Sequence, residues 1–306
     1  MILSSSATNI FIKAWKVFSL ETLNLFNYFI NEVTFNVDPW YINYFWWLIL
    51  LSLFIWGLEI LFPWRRKQSI LRKDFFLDLF YLFFNFYLFK IIVFYGFSVL
   101  AEKTFNQLIG GKEHLIIFDT STLNPILQLI IFFVILDFIQ YITHRILHYF
   151  SFLWEFHKVH HSVEEMGFAA HFRYHWMENV FYTPMKYISM MLIGNFSPDQ
   201  AFIVYYISIA IGHLNHANIQ LSYGPLKYIF NNPKMHIWHH TKKLPEKFNK
   251  GVNFGISLSL WDYIFKTNYI PSTGRDNELG FTNLESFPKS FLNQFIHGFK
   301  KTKEDT

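Results

Sequence analysis

Three long stretches without charge constrain this chain more than any other feature. From Tyr41 to Leu58 there are 18 residues with no charged side chain, Leu79 to Ala101 is interrupted only by Lys90, and Thr120 to Ile142 only by Asp137. At a rise of 1.5 Å per residue, helices of this length approach the hydrocarbon thickness of a bilayer, about 30 Å. Three such runs rarely coexist in a water-soluble core. Composition agrees: charged residues make up 16% of the chain, against about 25% in ordinary globular domains. Hydrophobic residues reach 52% and aromatics 22%, with 39 Phe, 17 Tyr and 10 Trp among 306 residues. A disordered or collagen-like chain is excluded. A net charge of +4 is too small to argue for nucleic acid. Without cysteine, disulfides, thiolate metal sites, iron-sulfur ligation and cysteine nucleophiles are all excluded.

Orientation follows from the loops. Arg65, Arg66, Lys67, Arg72 and Lys73 crowd the connection after the first run, whereas the loop after the second has no cationic excess. The positive-inside rule places the first loop in the cytoplasm, and chain order then returns the third helix to that side near His144. The N-terminus lacks a basic region followed by an apolar run, so no cleaved signal peptide is expected. Residues 15–32 read as an interfacial, membrane-embedded or buried helix. Two shorter uncharged halves, Tyr187 to Pro198 and Ala201 to Gly212, flank a polar turn. A hairpin dipping into the membrane satisfies its backbone internally and leaves its two ends on one side. The expected fold is all-α: a polytopic membrane helical bundle with about four membrane-embedded helical regions, one of them re-entrant, capped by a cytoplasmic His-rich metal site. Its parts are a 1–40 interfacial or accessory segment, 41–143 transmembrane helices, a 144–270 His-rich catalytic region with the membrane hairpin at 180–212, and a 271–306 polar tail.

Twelve of the fourteen histidines fall between His144 and His240. His144 and His148 are four apart. His157, His160 and His161 form an HxxHH pattern that recurs as His236, His239 and His240. Side chains three or four apart share a helix face, so each set converges. Imidazole binds zinc or iron when neutral, and these arrays exceed the ligand demand of one tetrahedral ion. Two metal ions are the economical reading. The hairpin brings His175 and His216 to the same place as candidate ligands. His171 and His213 are open between a supporting and a structural role, while His114 and His297 lie away from the site. Metal-bound histidines commonly give their second ring proton to a carboxylate or carbonyl. Asp137, nearly two turns before His144, suits such an acceptor or an ion-pair partner better than a direct ligand. Glu178 is the candidate carboxylate near the reaction centre, with pairing to Arg173 as the alternative.

These motifs resemble the fatty acid hydroxylase and sterol desaturase superfamily of integral-membrane non-haem iron enzymes. The resemblance spans roughly Trp56 to Pro271 and rests on several ordered strings. These are Asp137, His144, Arg145 and His148; Trp154 and His157; His160, His161 and Ser162; Arg173, His175 and Glu178; Pro233 through His240; Asn253 and Gly255; and Trp261, Asp262, Phe265 and Thr267. It implies a cytoplasm-facing pair of iron ions that activates O2 against an unactivated C–H bond of a lipid such as a fatty acyl chain, sterol, carotenoid or ether lipid. One position departs: relatives often carry a further His where this chain has Met235, and a thioether is a poor ligand for hard iron. Closed-shell zinc cannot store the electrons that O2 cleavage needs.

The chain has no GxGxxG, GxxxxGK[ST] or HPGG segment. Electrons from NAD(P)H are therefore expected through a separate reductase with a cytochrome b5-like protein or ferredoxin. Lys242, Lys243, Lys247 and Lys250 suggest either a docking patch or a solvated loop. Phe80, Tyr81, Phe83, Phe84, Phe138 and Tyr141 read as a substrate wall or as ordinary packing. A zinc-dependent membrane hydrolase and a metal transporter are the competing classes.

Overall fold

The computed structural model describes residues 5–111, 115–194 and 196–299. Among these, regular structure is helical, with three isolated β-bridges and no strands. Helix α1 (Ser5–Val33) precedes α2 (Tyr44–Leu61). The Asn43 side chain accepts from the Trp46 amide, so α2 starts three residues inside the uncharged run. It runs past Glu59, whose Oε1 accepts from the amides of Phe168 (2.9 Å) and Asn218 (2.7 Å). With those partners one carboxylate is tolerated near the end of an apolar helix.

Helices α3 (Phe75–Phe83) and α4 (Tyr95–Ile109) join through two π-helical turns, Phe84–Leu88 and Lys90–Phe94, into one continuous rod, Phe75–Ile109. Helix α5 (Pro125–Tyr149) starts at an Asn124 cap with proline in its first turn. These three, Tyr44–Leu61, Phe75–Ile109 and Pro125–Tyr149, are long and apolar enough to cross a membrane. Helix α1 lies along α4. Gly96 permits that approach, since a Cβ there would meet the Phe18 ring at 2.6 Å.

At Phe150 the chain turns out of helical geometry, and α6 (Ser151–His161) doubles back against α5. That corner lets the histidines of α5 face those of α6. The hairpin is present as α7 (Trp176–Leu192) and α8 (Pro198–His216), longer than the uncharged halves implied. Ser197 and Gln200 form a reciprocal capping box that sets the start of α8. The start of α7 brings Glu178 to His157 and the end of α8 brings His216 to His160 and His236, with the short helix α9 (Pro233–His239) packed on α8. Helix α10 (Leu260–Ile264) follows.

The C-terminal region departs from the expected polar tail. Phe281, Phe287, Phe291, Phe295 and Phe299 supply an apolar row that packs back onto the bundle. Phe291, in α11 (Phe291–Phe295), meets Phe80, Tyr81 and Phe84 with ring centroids 4.6, 5.2 and 4.8 Å away. The buried Gln294 accepts from the Tyr81 hydroxyl at 2.8 Å. Residues 300–306 lie outside the described residues.

A buried ion network fastens α3 to the segment between α6 and α7. Asp78, fully buried, holds Arg72 through one oxygen and the Arg173 Nη1 through the other at 3.2 Å, and Arg173 also reaches Asp74 at 3.0 Å. Removing one charge leaves the others desolvated and unpaired. Asp78→Asn is expected to lower unfolding stability by about 3–5 kcal/mol, read as an earlier thermal transition in detergent. An unchanged transition would show that the network is not buried as described.

Candidate metal centre

Nine histidines converge in two adjoining groups. His144 and His148 from α5, His157 and His161 from α6 and His239 from α9 place one ring nitrogen each within 4.8 Å of one another. His160 from α6, His216 from the end of α8, and His236 and His240 from α9 and its C-cap form the second group. The two HxxHH motifs are divided in opposite senses. His157 and His161 enter the first group while His160 enters the second; His236 and His240 enter the second while His239 enters the first. Helical geometry accounts for this, because residues four apart differ by about 40° around the axis while the residue three on lies about 60° to the other side. The groups touch: the His161 and His240 rings stack with centroids 4.4 Å apart.

The rings are aimed by their outer nitrogens. Nδ1 donates to a backbone carbonyl in His144 (Phe254, 2.8 Å), His239 (Val252, 2.8 Å), His160 (Arg173, 3.0 Å) and His216 (Gly212, 2.7 Å). A carbonyl only accepts, so these Nδ1 atoms carry the proton and each neutral ring presents its Nε2 lone pair inward. Inside, Nε2 meets Nε2: His144 and His157 at 3.1 Å, His161 and His239 at 3.1 Å, His216 and His236 at 2.9 Å. His160 and His216 are both fixed by carbonyls, so their Nε2 atoms oppose two lone pairs at 3.4 Å. Such pairs repel unless a cation lies among them. The donor set therefore fits metal ions that accept imidazole nitrogen.

Burial keeps the rings in the required neutral state. The imidazole of His157 is pulled down to about 3, and that of His160 to about 4, by burial first and, for His160, by neighbouring charges second. Both lie below the unfolded value of about 6.5, so the unfolded chain takes up protons first as pH falls. The stability they contribute is fully present above about 6.5 and lost towards 3–4. Chelator-treated protein is expected to melt at lower temperature at pH 5 than at pH 7.5. Identical melts would contradict burial of these rings.

Glu178, at the start of α7, lies with Oε2 3.1 Å from His157 Nδ1. Its carboxyl is pushed up to about 8 by burial, against the opposing effect of nearby His160. A cation in the first group favours the ionised form. The alternative partner is engaged elsewhere, since Arg173 is held by Asp74 and Asp78.

All nine clustered histidines fall within residues 129–267, which match the fatty acid hydroxylase family. The match covers a little under half of the chain. Over 175 residues the chain is 32% identical to the ornithine lipid hydroxylase OlsE of Rhizobium tropici, covering 57% of this chain and 51% of that protein. It is 30% identical over 132 residues to the alkylglycerol monooxygenase of Caenorhabditis elegans, 43% of this chain and 25% of that protein. The sphingolipid C4-hydroxylase sur2 of Schizosaccharomyces pombe is 31% identical over 149 residues, 48% of this chain and 49% of that protein. The chain thus spans about half or less of these relatives' length. No solved structure matches it.

Within the matched region, Asp137 departs from its expected role. It accepts from the amides of Ser257 (2.8 Å) and Leu258 (3.1 Å) and from the Trp261 indole (2.9 Å), not from a histidine. It acts one step removed, by bracing the turn that follows the carbonyls of Val252 and Phe254. Asp262 braces the same turn through the amides of Phe254 and Gly255. Sequence reasoning assigned Asp262 no role, although it stands in the family-like string.

His175 also departs. Its Nδ1 accepts from the Met177 amide at 3.1 Å and its Nε2 donates to the Phe295 carbonyl at 2.8 Å, so both nitrogens are engaged outside the two groups. It caps α7. His171 and His213 pair with each other at 2.8 Å beside the second group, with His213 also 3.2 Å from Ser52. Met235 is fully buried, its carbonyl accepting from Asn253. His297 meets Glu155, and His114 lies outside the described residues. Phe80, Tyr81 and Phe84 pack on the C-terminal row, while Phe138 and Tyr141 pack on Trp261 and Phe265.

Proposed function

We propose that the chain holds two iron ions and uses O2 to oxidise an unactivated C–H bond of a membrane lipid, by hydroxylation or desaturation. The observation that carries this reading is the pair of adjoining, buried nitrogen cages, five and four imidazoles, with lone pairs turned inward. The first cage takes one ion through His144, His148, His157, His161 and His239; the second takes the other through His160, His216, His236 and His240. Two bound irons supply the electrons that reduce O2 and the oxidising power to break the C–H bond. The protein's own work is placement. Carbonyls of Val252, Phe254, Arg173 and Gly212 fix the rings before metal arrives, which preserves geometry during turnover. Glu178, buried beside His157, holds or releases a proton at Oε2 next to the first cage. Packing of α6, α9 and the C-terminal row over the cages limits water.

Support for a lipid substrate comes from the membrane-length helices and from relatives named as hydroxylases or monooxygenases of lipids. The basic loop after α2 supports a cytoplasmic site. Electrons are proposed to come from NAD(P)H through a separate reductase and a cytochrome b5-like or ferredoxin carrier. Of the basic residues near α9, Lys242 is paired with Glu278, which leaves Lys243, Lys247 and Lys250 for an acidic carrier.

The test is metal content and 18O2 labelling. Detergent-purified protein expressed with ample iron is expected to carry about two irons per chain. Given reductant and membrane lipid, hydroxylated product is expected to gain one 18O atom. Zinc retained after anaerobic iron loading, with label entering only from H218O, would replace this reading with a zinc hydrolase.

A further inference from the structure

Away from the histidine cages, the segment between α8 and α9 and the residues of α10 and just beyond it form a cleft of about 420 Å3. That volume is ordinary for a small-ligand site. Its lining includes Lys227, Tyr228, Asn232, Lys234, Tyr263 and Asn268, but no carboxylate and none of the cage histidines. The two sides are tied together: the Ser259 hydroxyl donates to the Lys227 carbonyl at 2.6 Å, and the Asn231 amide to the Ser257 carbonyl at 2.9 Å. The Lys227 ammonium lies 5.0 Å from the Tyr228 ring, whose centroid is 5.0 Å from that of Tyr263. A cation therefore stands at the aromatic wall of the cleft.

Nothing acidic answers that charge. Lys73, Lys103, Lys158 and Lys242 are the lysines in ion pairs among the described residues, so no carboxylate neutralises Lys227 or Lys234. Asp262, next to Tyr263 in the chain, is engaged by the amides of Phe254 and Gly255 and by the Thr267 hydroxyl. Asn232 adds a donor. It is buried, its Oδ1 accepts from the Met235 amide at 3.1 Å, and its Nδ2 has no partner among the described residues. Two ammonium groups and an unpaired amide, with no acid in the lining, suit an oxyanion.

The surroundings decide what carries the oxyanion. Helix α10 lies along α5, a membrane-length helix: Trp261 and Phe265 meet Phe138 with ring centroids 4.7 and 6.1 Å away, and Phe265 meets Tyr141 at 5.6 Å. Phe138 stands roughly 16 Å before the end of α5 at Tyr149, so α10 flanks the segment that crosses the membrane. Ile264 and Phe265 are nevertheless exposed, as are Leu226 and Ile229 beside Lys227 and Tyr228. Apolar side chains continuous with a spanning helix, next to tyrosines and a basic cleft, match the headgroup level of a bilayer. We propose that the cleft binds the phosphate-bearing headgroup of an anionic phospholipid, with Lys227, Lys234 and the Asn232 amide on its oxygens and Leu226, Ile229, Ile264 and Phe265 against its acyl chains. The proposal depends on the membrane-length helices and not on oxidation at the cages, so either reading can fail alone.

The experiment titrates the full chain, purified in a neutral maltoside detergent, with dihexanoyl phosphatidylglycerol, dihexanoylglycerol and inorganic phosphate, following the heat of binding. Phosphatidylglycerol is expected to bind about tenfold or more tightly than either of the others. Joint Lys227→Gln and Lys234→Gln replacement is expected to weaken it about tenfold or more while leaving dihexanoylglycerol unchanged, and joint replacement by arginine to retain most of the binding. Lys289→Gln removes an exposed charge outside the cleft and is expected to change nothing. Phosphatidylglycerol binding no tighter than dihexanoylglycerol overturns the proposal, and that comparison needs no variant to fold. Inorganic phosphate binding as tightly as phosphatidylglycerol also overturns it, in favour of a free anion. So does equal weakening by Lys289→Gln, as a general effect of surface charge, or loss of both lipids alike in the glutamine variant, as a packing effect.

Discussion

Replacing His236 with alanine is expected to remove one metal ion of the two and to lower lipid oxidation by at least about a hundredfold. His236 Nε2 sits 2.9 Å from His216 Nε2 and 3.1 Å from His240 Nε2, so it stands inside the second cage. The first cage takes its five nitrogens from other residues and is expected to keep its ion. His148→Ala is the mirror case, emptying the first cage and sparing the second. His175→Ala is the control: it removes an α7 cap worth about 1 kcal/mol but no cage nitrogen, so metal content is expected to hold. Elemental analysis of the three variants decides the matter. Metal lost from His175→Ala, or full retention in His236→Ala, would refute the division of ligands between the cages.

Asp137→Asn is the second large effect. One carboxylate serves three donors, through Oδ1 to Ser257 and through Oδ2 to Leu258 and Trp261. An amide of the same shape turns an NH2 towards one of those donors, leaving buried N–H groups opposed. We expect a loss of about 2–4 kcal/mol in stability. The braced turn follows the carbonyls that aim His144 and His239, so metal affinity is expected to drop by about 10–100-fold as well. Both are read from thermal melts and competition with a chelator. A variant that is destabilised but binds metal normally would confine Asp137 to a packing role.

Several elements were legible before any coordinates. The uncharged runs became Tyr44–Leu61, Phe75–Ile109 and Pro125–Tyr149, because a helix that must satisfy its backbone without water shows its length directly in composition. Nine of the ten histidines expected as ligands converge, because three- and four-residue spacing is a local property of the helix. His216 follows only from the hairpin, and the structure places its ring in the second group. The same argument failed for His175, since an N-cap position turns the ring towards its own helix and the Phe295 carbonyl.

The amino-acid sequence by itself determined the helical class, the membrane-length segments and the spacing of the histidines, and it carried the family resemblance. Those depend on periodicity and residue type, which are written locally. The tertiary structure decided how each HxxHH motif is split between two cages, which carbonyls aim the rings and that Asp137 braces a turn instead of a histidine. It also folded the Phe-rich C-terminal row back on the bundle. Each of these is a meeting of residues from distant parts of the chain, and spacing along one helix carries no information about what a second helix places opposite it.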